Sequence, residues 1–125
     1  MISESDLRNI IISPALDEVG LMSRDAEELV YSIACHESLC GEHLKQVGGC
    51  ALGIYQIEPD TYYDIWDNVI SPNKDLKRKI FRALDISREP NAERLIWDLK
   101  LSTIMCRVFF SRFKEPLPRF DNIDA

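Results

Sequence analysis

ACHESLCGEHLKQVGGCALGIYQIEPDTY, Ala34 to Tyr62, passes from the end of a helical stripe through a glycine-rich loop into a compact polar and aromatic segment. Just upstream, Ser23 is a good N-cap, and Asp25, Glu27 and Glu28 occupy first-turn positions where the helix dipole favours negative charge. Ala26, Leu29, Val30, Ile33 and Ala34 share one face, and the next positions on that face are Glu37 and Ser38. The stripe therefore ends on an acid. A carboxyl at the edge of an apolar face, partly cut off from water, resists ionisation, as a general acid working near neutral pH must. The competing reading is a helix that frays at Glu37 and leaves its side chain wet.

Downstream, Gly41 to Gly49 reads as a connection holding a short helical turn over Glu42 to Val47, closed by Gly48-Gly49. Ala51 to Ile57 reads as extended or irregular, with Ala51 and Gly53 small enough to admit another backbone or a ligand. Pro59 suits the first turn of a helix carrying Thr61, Tyr62, Tyr63, Ile65, Trp66 and Val69. Ser71-Pro72-Asn73 breaks that helix, and Lys74 to Leu84 follows as a short basic one with Leu76, Ile80, Phe81 and Leu84 inward. After Glu89-Pro90-Asn91, apolar positions from Ala92 to Phe110 predict one long buried helix, ended by Pro116 and Pro118, and then a loose polar tail from Arg119 to Ala125. At the other end, Ser3 to Val19 predicts a helix on the outside of the core, restarted or kinked at Pro14 and stopped by Gly20. The expected fold class is mainly α, with a short irregular or β-like segment after the acid-bearing helix.

The 125 residues suffice for one core, so residues 1–125 read as a single domain. No apolar run reaches about 18 residues, and the N-terminus lacks the basic and unbroken apolar regions of a secretory signal. The expectation is a product made in a host cytoplasm. A net charge of −6 argues against a nucleic-acid partner. The basic residues between Lys74 and Arg82 fit a solvated helix face, and Arg107, Arg112 and Lys114 meet the negative end of the last helix. Cys35-x4-Cys40-x2-His43-x6-Cys50 could supply four zinc ligands, but it lacks paired CxxC or HxxxH knuckles. Reduced buried thiols are the simpler expectation, a Cys40–Cys50 disulfide formed after release is an alternative, and neither a metal nor any other cofactor is expected.

His36-Glu37-Ser38, a loop, and then Ala51-Leu52-Gly53-Ile54-Tyr55-Gln56-Ile57-Glu58-Pro59-Asp60-Thr61 resemble the soluble lytic transglycosylase branch of the lysozyme-like superfamily. The match is ordered and correctly spaced over about a quarter of the chain. It implies a lysozyme-like helical domain, of bacteriophage type, that cleaves the β-1,4 bond between N-acetylmuramic acid and N-acetylglucosamine in peptidoglycan. It implies Glu37 as the catalytic acid, Ser38 as a sugar-positioning hydroxyl, Tyr55 and Gln56 as the pair lining the glycan cleft, and Tyr62 as a further substrate contact. The implied partners are glycan strands and other phage virion proteins, with no membrane and no nucleic acid.

The loop from Lys45 to Tyr55 holds no acid, which suits a one-carboxylate mechanism giving 1,6-anhydro ends. Glu58, Asp60 and Asp64 are candidate second acids for hydrolysis. Cys50 stands where the family usually has Gly, and Val47 where it often has Ser. The tail Asp121-Asn122-Ile123-Asp124-Ala125 lacks the family's Tyr-Asn element, so a C-terminally truncated or split version is one expectation. The alternative functions are a non-catalytic virion or cell-wall-binding module, and a small zinc-stabilised interaction domain.

Overall fold

A computed structural model describes residues 1–111, so the readings placed on Arg112, Lys114, Pro116, Pro118 and the tail lie outside the described residues. The described chain is mainly helical, and its extended pairing is confined to two isolated antiparallel bridges, Lys45 with Leu52 and Leu52 with Ile57. No described helix is long and apolar enough to cross a membrane.

The N-terminal arm is helical from α1 (Glu4–Asp6) through a π-helical stretch (Leu7–Ile12) to α2 (Ser13–Glu18). Ser3 starts it by accepting the Asp6 N–H at 3.2 Å. Pro14 has no N–H to give Ile10, and the Ser13 N–H reaches back five residues to the Arg8 carbonyl. The widened turn ahead of Pro14 relieves the ring without ending the helix. The arm was expected to lie outside the core, yet Leu7, Ile12, Ala15 and Leu16 have no exposed surface. Arg8 fastens it further, pairing with Glu4 and Glu28 at 2.8 Å and Glu27 at 3.3 Å, its guanidinium 4.1 Å from the Tyr31 ring centroid. The arm is core because it packs against the helices at Arg24–Ser38, Lys74–Leu84 and Leu99–Phe110 at once.

α3 (Arg24–Ser38) starts where expected, Ser23 Oγ accepting the Ala26 N–H at 3.0 Å. It runs through Glu37 and closes at Leu39, in the left-handed region at φ 53°. The turn expected over Glu42 to Val47 is not helical. Left-handed Leu39, Cys40 and Gly41 turn the chain away, and the Gln46 N–H and side-chain carbonyl engage Ala51 instead, at 2.9 and 3.1 Å.

α4 (Pro59–Ile65) begins at Pro59 and continues as a π turn, Trp66–Ile70. Asn73 caps α5 (Lys74–Leu84), whose Asp75 pairs with Arg78 and, at 3.0 Å, with Lys79 on an exposed face. The single helix expected from Ala92 to Phe110 is two pieces, a 3-10 turn (Ala92–Ile96) and α6 (Leu99–Phe110). The break has two causes. Asp98 caps a new helix by accepting the Leu101 N–H at 2.9 Å, and the Leu95 carbonyl is taken by the Ser102 hydroxyl at 2.7 Å. α6 remains the spine, with Leu101 to Cys106 all buried. Cys106 joins the layer formed with the arm, α3 and Ile54, while Ile104 and Met105 join the layer around Trp66, Ile70 and Ile80.

Candidate active site

The end of α3, the Ala51–Ile57 segment and α6 meet at a groove of about 290 Å³. Its floor and walls are apolar, with Ile33, Ile57, Ile65, Phe109 and Phe110 contributing. Glu37, Glu58, Gln56 and Thr61 supply the polar groups. An apolar trough with a few polar groups at its rim is the usual form of a small-ligand site.

Gly53 sets the shape of the segment that carries Tyr55 and Gln56. Its φ of +81° suits glycine, and a Cβ there would collide with the Leu95 carbonyl oxygen. The Gly53 N–H donates to the Leu44 carbonyl at 2.7 Å, and its own carbonyl receives the Gln56 N–H at 3.0 Å and side-chain amide at 2.8 Å. Gln56 is itself held at φ 52°. The tight turn folds Gln56 back on Gly53 and delivers both neighbouring side chains to the groove. The absence of a side chain at Gly53 thus admits another backbone, that of Leu95.

Glu37 lines this groove together with Tyr55 and Gln56. These three sequence candidates are brought together. Glu37 is exposed, so the partial dehydration expected from its helix position is not present in the free chain. The stripe directs it to the groove, but the left-handed exit at Leu39 leaves the last turn of α3 open to water. Tyr55 is buried and shares a hydrogen bond of 2.8 Å with the Thr103 hydroxyl. Burial pushes its phenol well above the usual range, so Tyr55 offers a neutral ring to the groove. Burial likewise raises the Cys106 thiol, with Arg107 opposing that rise.

Two other candidates lie elsewhere. Ser38 is fully buried, its hydroxyl donating to the Ala34 carbonyl at 2.9 Å and accepting the Gly41 N–H at 3.0 Å. The hydroxyl closes α3 from a site with no exposed surface, so it is out of reach of a sugar. Ser38→Ala is expected to cost about 1–3 kcal/mol of stability by orphaning the Gly41 N–H, with KM for any glycan unchanged well below the melting temperature. Paired denaturation and initial-rate measurements check this. Tyr62 is also fully buried; its hydroxyl donates to the Pro90 carbonyl at 2.7 Å and its ring meets Trp66 edge-on at 6.3 Å. It belongs to the core beneath α4, because the helical period turns position 62 away from Thr61.

Glu58 was weighed from sequence only as one of three candidate acids, and it is the one that shares the groove with Glu37. It stands directly before Pro59, with the extended backbone that a residue ahead of a helix-starting proline adopts. The cysteines near α3 depart from the expectations placed on them. Cys35 and Cys40 form a disulfide across the end of α3, Cys50 is exposed and free, and Cys106 is buried and free. The Cys40–Cys50 pairing is thereby overturned. The zinc spacing is not realised as a site, and no group of three metal-binding side chains gathers among the described residues. The disulfide brackets Glu37 and closes a short loop, worth roughly 2 kcal/mol by chain entropy. No protein-family model, curated protein or solved structure matches this chain, so the groove itself has to carry any functional reading.

Proposed function

We propose that this chain is a lysozyme-like glycan-cleaving enzyme that breaks the β-1,4 bond between N-acetylmuramic acid and N-acetylglucosamine in peptidoglycan. The observation that carries the reading is the meeting of Glu37 with Tyr55 and Gln56 over one apolar groove, from positions 18 and 19 residues apart in the sequence. Glu37 gives its proton to the glycosidic oxygen as the bond to the anomeric carbon breaks. The muramic C6 hydroxyl oxygen then attacks that carbon, and its proton passes to the Glu37 carboxylate. The product is a 1,6-anhydro sugar, and the acid is restored without a water molecule. A sugar seated in the trough covers one side of Glu37 and removes water from it. Ile57, Phe109 and Phe110 supply apolar surface for a sugar ring, Tyr55 backs the groove from the core, and Gln56 is the adjacent polar group.

Glu58 favours a second reading, two-carboxylate hydrolysis, because it lines the same groove. Glu58→Gln separates the two. Single-acid cleavage predicts that clearing of a purified peptidoglycan suspension stays within about threefold of the parent. Loss of about two orders of magnitude or more identifies Glu58 as a working second acid. Binding without clearing by the unaltered chain supports a non-catalytic wall-binding module instead.

A further inference from the structure

We propose that the depression around Trp97 is a second saccharide site, which grips a sugar ring of the glycan strand away from the Glu37 groove and keeps the chain on the wall. This deepens the peptidoglycan reading and rests on it for the identity of the polymer. The depression encloses about 730 Å³ where the connection after α5 passes the 3-10 turn Ala92–Ile96, and it shares no lining residue with the groove.

The chain has two tryptophans, and they are treated oppositely. Trp66 is completely buried, whereas Trp97 is 67% exposed. A single exposed aromatic is ordinary on a protein surface. Trp97 differs in being held in position at the wall of a large polar cavity. The Arg94 guanidinium lies 5.0 Å from its ring centroid and is itself fixed by Asp98 at 2.9 Å. One indole face is therefore engaged, and with two thirds of the residue exposed the ring still offers surface to a ligand. The C–H bonds on one side of a pyranose carry slight positive charge and pack against the negative face of an indole.

The same depression is lined by Asp85, Ser87, Asn91 and Glu93, with Arg88 and Glu89 beside them. Carboxylate and hydroxyl oxygens accept from sugar hydroxyls, and a side-chain amide can both donate and accept, as an acetamido sugar requires. Chain charge points the same way. With a net −6, the chain as a whole is not drawn to an anionic wall, and a wall-holding contact that works through uncharged chemistry escapes that penalty. Stacking on a neutral sugar ring does so.

The test uses purified peptidoglycan with the full chain carrying Glu37→Gln, so that the polymer survives. Adding Trp97→Ala is expected to weaken sedimented binding about tenfold, with Trp97→Phe retaining most of it. The N-acetylglucosamine tetramer should compete and should shift the emission of the exposed tryptophan, a change absent from the Trp97→Ala chain. With Glu37 intact, Trp97→Ala should cleave short soluble glycans at the parent rate. Equal binding with and without Trp97, or binding that the tetramer neither competes for nor reports, overturns the second site and leaves cleavage at Glu37 untouched. Trp97-dependent, tetramer-competed binding by an unaltered chain that releases no fragments leaves this site standing and removes the cleavage reading.

Discussion

Glu37→Gln is expected to slow peptidoglycan clearing by about three orders of magnitude, with a melting temperature close to that of the parent. Glutamine keeps the shape and polarity of the side chain but has no proton to give the leaving oxygen. The stability half of the expectation follows from exposure: Glu37 sits on the open last turn of α3, and neither cavity nor orphaned partner is left when it changes. A residue that merely touched sugar would behave differently, raising KM by a modest factor while kcat survived. Initial rates across substrate concentrations, set beside a thermal melt, distinguish the two.

Gly53→Ala should be the most damaging single methyl in the described chain. At φ +81° an alanine is strained in any surroundings, and here its Cβ also meets the Leu95 carbonyl oxygen and the Ser102 hydroxyl. Neither obstacle is a loose side-chain end, since Leu95 offers backbone and Ser102 Oγ is bonded to that same carbonyl. A loss of about 3 kcal/mol is expected, visible as a lower denaturant midpoint. Gly48→Ala is the internal control. Gly48 has a similar φ of +74° but open space around its missing Cβ, so only backbone strain of about 1 kcal/mol applies. The difference between the two variants isolates the collision. It also measures how firmly the Tyr55–Gln56 turn is held against the 3-10 turn.

Much of the fold was legible where side chains act locally. Ser23 caps α3 and Pro59 marks the start of α4, as their residue types suggest, while Asn73 and Asp98 cap helices in the same way without having been read as caps. Asp98 shows the limit of that reading, since apolar periodicity ran straight across it from Ala92 to Phe110. Only the folded chain reveals that the Leu95 carbonyl is diverted to Ser102. The arm was misplaced for a related reason: a helical stripe says that a face is covered, not how many neighbours cover it.

The site was legible to the same degree. Spacing along α3 pointed Glu37 toward an apolar face, and the small residue at 53 pointed to a close backbone approach. The burial of Ser38 and Tyr62 was not legible, because a hydroxyl beside a catalytic candidate reads alike whether it faces ligand or closes a helix. Cysteine pairing was equally hidden, since Cys35 and Cys40 come together only once left-handed Leu39 folds the chain back.

Mass spectrometry of the fragments released from purified peptidoglycan tests the central claim most directly. Proton delivery by Glu37 with attack by the sugar's own C6 hydroxyl predicts muramic ends one water lighter than hydrolytic ones, and none at all from Glu37→Gln. Release of no fragments by the unaltered chain, or of the same fragments by Glu37→Gln, contradicts it.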